Sequence, residues 1–210
     1  MAEIIPVLNV KTLKSLEKTL ELIKKHKGWI QLDAADGHFT AWKNFYDIAK
    51  IKMLKIKNPL EVHLMIDNPE KSIQDWIFLK PKRIIAHLEA IKDFNLLYTQ
   101  TKKNNIELGL AICPETPNSE LYPYMNKVNF VLMLGVIPGP SGQEFETYVL
   151  DKIKDLKKKY PKTIIEIDGG INIETGRKAV LAGADYLVTG SFIFNSPDPM
   201  SSLEVLKKSI

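Results

Sequence analysis

Short apolar runs alternate with longer amphipathic stretches along the whole chain. Runs rich in β-branched and aliphatic residues predict strands over 4–8, 29–33, 60–65, 83–87, 107–112, 130–136, 164–168 and 186–189. Between them, apolar positions recur at helical spacing. Leu13, Leu16, Leu20 and Ile23 form one stripe behind the capping residue Thr12, which predicts a helix over 12–26 that Gly28 stops. Further helices are predicted near 45–51, from Asn68-Pro69-Glu70 onward, and over 92–103, 121–125, 148–160, 175–182 and 199–208. Pro69 stands at a tolerated first-turn position and Gly183 at a helix end. Eight strand-helix alternations imply a parallel sheet, and eight strands fit a closed (β/α)8 TIM barrel, one domain over residues 1–210. An open doubly wound sheet is the alternative, but no Gly-x-Gly-x-x-Gly follows the first strand.

Composition narrows the class. Hydrophobic residues make up 45% and charged residues 26% of 210 positions, enough to bury a full core without covalent staples. Cys113 is the single cysteine, so no disulfide framework is available, and a reducing, cytoplasmic setting is expected. The net charge of +4 comes from dispersed lysines. The run Lys157-Lys158-Lys159 suits the carboxyl end of a helix, and no basic stripe with interleaved aromatics points to nucleic acid. Neither a signal peptide nor a membrane span is evident.

In a barrel of this kind chemistry collects where strands finish. Two-residue spacing puts Gln31 and Asp33 on one face of the second strand, His63 and Met65 on one face of the third, and Glu166 and Asp168 on one face of the seventh. His87 and Glu89 stand near the exit of the fourth. Taken singly, His63 could be a satisfied core histidine and Met65 simple packing, but two buried carboxylates without a role are costly. Glycine-bearing corners follow the last three strands: Gly142-Gln143, Gly169-Gly170 and Gly190-Ser191. Their backbone N–H groups, with a short helix starting after Ser191, are suited to a phosphate.

Several stretches carry a resemblance. They are Asp33-Ala34-Ala35-Asp36-Gly37-His38-Phe39, Glu61-Val62-His63-Leu64-Met65-Ile66, His87-Leu88-Glu89-Ala90, and the run from Gly109 through Pro117. Val136-Ile137-Pro138-Gly139-Pro140-Ser141-Gly142-Gln143-Glu144-Phe145, Glu166-Ile167-Asp168-Gly169-Gly170-Ile171-Asn172 and Val188-Thr189-Gly190-Ser191-Phe192-Ile193-Phe194 complete the set. In that order they resemble the ribulose-phosphate 3-epimerases over nearly the whole length. The resemblance implies a TIM barrel that interconverts two five-carbon ketose phosphates by moving a proton at C3. It implies Asp33 and Asp168 as the two acid/base residues and, with His63, as ligands of a divalent metal ion (Zn, Fe, Mn or Co). It places His63, Met65, Gly139, Gly142, Gln143, Gly169, Gly170, Gly190 and Ser191 on the phosphorylated ketose. A homo-oligomer without nucleic-acid or membrane partners is expected.

The sequence departs from the family pattern around the metal. Gln31 occupies the position of a family histidine, and a carboxamide oxygen is a poorer ligand than imidazole for zinc-like ions, so a weaker or changed metal is expected. No serine stands near Pro6 and Val7. Ala35 and Leu134 replace methionines of the reacting face, and Met133, one residue off, should turn away. Two further readings stay open: a pocket re-cut for another sugar phosphate such as a hexulose 6-phosphate, and a phosphosugar-binding homologue without turnover. A lyase or decarboxylase on the same barrel is disfavoured, since the His63-to-Asn68 run lacks the lysine of those enzymes.

Overall fold

The computed structural model describes residues 2–140 and 142–210; Met1 and Ser141, the latter in the loop after the sixth strand, lie outside them. Eight strands form a closed parallel barrel: β1 Glu3–Leu8, β2 Ile30–Ala35, β3 Leu60–Met65, β4 Arg83–His87, β5 Glu107–Ile112, β6 Phe130–Leu134, β7 Ile164–Asp168 and β8 Tyr186–Thr189. Closure comes from β8 pairing with β1, with Val188 opposite Ile5. The helices are α1 Leu13–Leu22, α2 Ile48–Met53, α3 Pro69–Phe78, α4 Phe94–Lys103, α5 Val149–Lys159, α6 Ile173–Ala182, α7 Ser191–Phe194 and α8 Pro199–Ser209. Among the described residues, no helix is long and apolar enough to cross a membrane.

Alternation along each strand divides the core in two. Leu32, Leu64, Ile84, Leu110, Val131 and Ile165 face outward and join Leu16, Trp76, Leu97, Ile153 and Leu206 of the helices in one cluster. Ile85, Ala111, Phe130, Leu132 and Leu134, with Ile5, Val7 and Val188, fill the inside. Both faces of every strand are covered, which is why the strands read as unbroken apolar runs. Met133 belongs to the outer cluster and Leu134 to the inner one.

Element ends differ from the sequence expectation for local reasons. Helix α1 stops at Leu22 rather than near His26, because Asn58 Nδ2 takes the carbonyls of His26 and Gly28, and the His26 ring bonds the Trp29 carbonyl. Helix α4 starts at Phe94 under an Asp93 cap, while Glu70 Oε1 holds the N–H groups of Lys92 and Asp93. The segment expected as a helix near 121–125 is a 3-10 turn, Asn118–Tyr124, with Pro123 inside it barring α-helical bonding. Strand β2 runs two residues past Asp33, since Asn44 Oδ1 accepts from Ala35 N–H at 2.8 Å and its amide donates to the Asp33 carbonyl at 2.8 Å. Helix α6 begins at Ile173 because Asn172 and Thr175 form a reciprocal capping box.

Candidate active site

The two carboxylates come together at the carboxyl end of the barrel. Gln31, one turn of the pleat below Asp33, aims its amide between them: Nε2 donates to Asp33 Oδ1 at 2.9 Å and to Asp168 Oδ2 at 2.7 Å. His63, level with Asp33 across the β2–β3 pairing, places Nδ1 3.3 Å from Asp33 Oδ1 and 3.6 Å from Asp168 Oδ2. Asn9, just past β1, donates to Asp33 Oδ2 at 3.0 Å and is itself held by Trp42 Nε1 at 3.2 Å. All these groups except Asn9 and Trp42 are buried.

Electrostatics follow from that packing. Burial pushes the Asp33 carboxyl above the usual range, the charge of Asp168 adds to the push, and the hydrogen bonds of His63 and Gln31 oppose it. Burial opposes a charge on His63 too, but its contacts with Asp168 and Asp33 win and raise it to about 9. His87, buried beside it, falls to about 4 because burial outweighs the pull of Glu89. Glu89 is held down at about 2: its bonds to His87, Thr116 and Cys113 overcome its burial. The Phe39 ring covers His87, with centroids 4.6 Å apart.

Asp33, His63 and Asp168 offer three ligand atoms within 4.8 Å of one another. Two carboxylate oxygens and one imidazole nitrogen suit a first-row divalent ion. The orphaned Gln31 Oε1, buried with no hydrogen-bond partner, is the second sign. Turning that amide over would aim a fourth oxygen into the cluster, so the residues present fit a cation.

Above the carboxylates opens a narrow cleft at the mouth of the barrel. Asp33, His63 and Asp168 form part of its lining with Met65 and Leu134; Gln31 lies beneath. Gly139, Gly142, Gln143, Gly169, Gly170, Gly190 and Ser191 line the other side. Gly169 and Gly170 have φ of 104° and 68°, and a Cβ on Gly170 would lie 3.0–3.1 Å from the Phe145 backbone. Outside the strand ladders, the N–H groups of Gly170 and Gly190 have no backbone carbonyl partner among the described residues. Backbone donors at such glycine corners suit an anion.

One layer further down, a second charged group fills the barrel. Arg83 donates to Glu61 Oε2 at 2.6 Å and to Glu107 Oε2 at 2.7 Å, and its guanidinium lies 3.5 Å over Phe130. Glu166, fully buried, receives no hydrogen bond from an N–H or hydroxyl donor among the described residues and lies against the Glu61 carboxyl. Glu166 therefore points inward like Asp168, as the spacing required, but to a different layer.

The sequence reading missed Asn9, Trp42 and Asn44. Asn9 follows the expected end of the first strand by one residue, and a polar residue at a strand exit was the available signal. Trp42 and Asn44 sit in a loop whose path no periodicity reveals. Thr40, in the same loop, donates to the Pro138 carbonyl at 3.1 Å and so ties it to the loop after β6.

Fold and site together define a class: closed parallel βα barrels with a buried acidic cluster and glycine-bearing loops at one mouth. Within that class the chain belongs to the ribulose-phosphate 3-epimerase family, which residues 3–194 match. It is 28% identical to the ribulose-phosphate 3-epimerase of Schizosaccharomyces pombe, over 100% of this chain and 94% of that protein. It is 31% identical to the cytoplasmic isoform of ribulose-phosphate 3-epimerase from Oryza sativa subsp. japonica, over 90% and 85%. The fold also resembles 3-hexulose-6-phosphate synthase from Salmonella typhimurium, with a TM-score of 0.74 at 13% identity over 99% of this chain and 97% of that one.

Proposed function

We propose that the protein is a sugar-phosphate 3-epimerase of the ribulose 5-phosphate to xylulose 5-phosphate type. The observation that carries the reading is the pair of carboxylates from β2 and β7, joined through one amide beneath a cavity rimmed by glycine donors. Epimerisation next to a carbonyl needs a base on one face of the carbon and an acid on the other. Asp33, raised by burial, is the partner that holds the proton; Asp168, the more exposed of the two, takes the C3 proton in that direction. The roles exchange in reverse. The cradle at Gly169, Gly170, Gly190 and Ser191 holds the phosphoryl group and so fixes C3 between the carboxylates. His63 and Gln31 point N–H groups at the carboxylates and restrain their orientation. Asp33, His63 and Asp168, with the Gln31 carboxamide, would hold a divalent cation, which when bound supplies Lewis-acid stabilisation of the enediolate.

The test is solvent deuterium entering C3 of ribulose 5-phosphate, with Zn²⁺, Mn²⁺ and Co²⁺ each supplied. Exchange with net epimerisation is expected, and Asp33→Asn or Asp168→Asn should each lower the epimerisation rate at least about a hundredfold. No exchange with either ribulose 5-phosphate or a hexulose 6-phosphate overturns the proposal. Tight phosphosugar binding without exchange would instead identify a binding protein. Exchange only with the hexulose phosphate would move the substrate and keep the chemistry.

A further inference from the structure

The histidines of β3 and β4 meet nitrogen to nitrogen, His63 Nε2 lying 2.9 Å from His87 Nε2. Two ring nitrogens at that distance share a single hydrogen, so one ring donates and the other accepts. The direction is decided at the far end of the chain of contacts. Glu89 Oε1 accepts from the Cys113 N–H at 2.8 Å and from the Thr116 hydroxyl, which leaves Oε2 facing His87 Nδ1 at 3.3 Å. An ionised carboxylate only accepts, so His87 carries its hydrogen on Nδ1 and offers a lone pair at Nε2. The Cys113 sulfur, 3.8 Å from the same Nδ1, is a weak acceptor and leaves that assignment in place. His63 must then donate from Nε2. Its other nitrogen, Nδ1, is the one turned to Asp33 and Asp168.

We propose that Glu89 and His87 are positioning residues: together they fix hydrogen on His63 Nε2 and reserve His63 Nδ1 for the Asp33–Asp168 site. This rests on the reading of His63 as a member of that site. Outer partners that orient a ligating histidine in this way commonly alter metal affinity 10–100-fold when changed. His87, Glu89 and Cys113 also bring three donor atoms within 4.8 Å and so resemble a second metal cluster. Their hydrogen bonds account for them without an ion: Glu89 is occupied at both oxygens and His87 at both nitrogens.

Glu89→Gln is the informative change because it keeps the shape. The Cys113 and Thr116 donors would hold the carboxamide oxygen, so its NH₂ would face His87 Nδ1 and reverse the hydrogen-bond chain. The experiment records the ring-nitrogen tautomers of both histidines by ¹⁵N NMR on the full-length protein, with Zn²⁺ affinity measured alongside. In the wild type, His87 with hydrogen on Nδ1 and His63 with hydrogen on Nε2 are expected. In Glu89→Gln, His87 should carry hydrogen on Nε2 and Zn²⁺ affinity should fall about 10–100-fold, with Cys113→Ser close to wild type. Hydrogen on His87 Nε2 in the wild type overturns the proposal even if the variant does not fold. So does unchanged Zn²⁺ affinity in Glu89→Gln, or a loss in Cys113→Ser as large as that in Glu89→Gln. None of these readings requires turnover: the stated tautomers in a protein without C3 exchange would sink the epimerase reading and leave this assignment standing.

Discussion

The Gln31 amide lies 2.7 Å from Asp168 and 2.9 Å from Asp33, one NH₂ group serving two carboxylates that belong to different strands. Two acidic side chains are thereby bridged by a neutral one. An imidazole at this position would bring one N–H at most toward the pair, and a lone pair in its place once a cation arrives. Gln31 thus favours the metal-free arrangement more than a histidine would.

Replacing Gln31 separates the two effects. Gln31→Leu removes the two hydrogen bonds that Nε2 makes to Asp33 and Asp168 and should lower metal-free stability by about 3 kcal/mol. Gln31→His should bind Mn²⁺ or Zn²⁺ more tightly than the wild type. Thermal melting with and without metal measures both, and a metal-induced rise no larger in Gln31→His than in wild type would contradict this account.

Asn9 donates to the outer oxygen of Asp33 and is tethered by Trp42. Asn9→Ala leaves that oxygen free to turn. Turnover should fall by about tenfold, near 1.4 kcal/mol of barrel-to-substrate alignment, with KM almost unchanged. A rise in KM alone would place Asn9 on the substrate instead.

The glycines that line the cavity are not equivalent. A methyl at Gly170 meets Phe145 backbone at 3.0–3.1 Å, on a residue with φ of 68°. Gly170→Ala should cost about 1–3 kcal/mol in stability and weaken phosphosugar binding. At Gly139 the nearest atom is 3.7 Å from the added Cβ, and Gly139→Ala should leave stability almost unaltered. Calorimetric unfolding and binding of inorganic phosphate would distinguish the two.

The inner carboxyl pair gives a pH dependence of defined sign. Burial raises both Glu61 and Glu166, and Glu61 stands at about 7 against an ordinary 4.5. A carboxyl raised in the folded state contributes stability that is full below its unfolded value and is lost as pH rises through the folded one. Melting temperature should therefore decline between about pH 5 and pH 8 from this source. Glu166→Gln removes one of the two like charges and should flatten that decline; parallel wild-type and variant curves would refute it.

Much of this was legible along the chain. Leu13, Leu16, Leu20 and Ile23 announced a helix, and the aliphatic runs announced strands buried on both faces, because periodicity and propensity are local. The pairing of Asp33 with Asp168 was legible in outline, since two-residue spacing fixes the face and strand count fixes the barrel. The bridging role of Gln31 was not. Sequence pattern marks it as a departure from a histidine, while its partner on β7 is 137 positions away. Trp42 and Asn44 were hidden for another reason: their loop is held by individual side-chain bonds, which leave no period. Glu61, Arg83 and Glu166 stand far apart along the chain, and only the closed barrel brings them to one layer.

Arg83, 3% exposed and wedged among Phe130, Trp29 and Tyr186, stoppers the barrel at its amino end. With that floor shut, the chamber is a cul-de-sac. Whatever enters must leave by the same doorway.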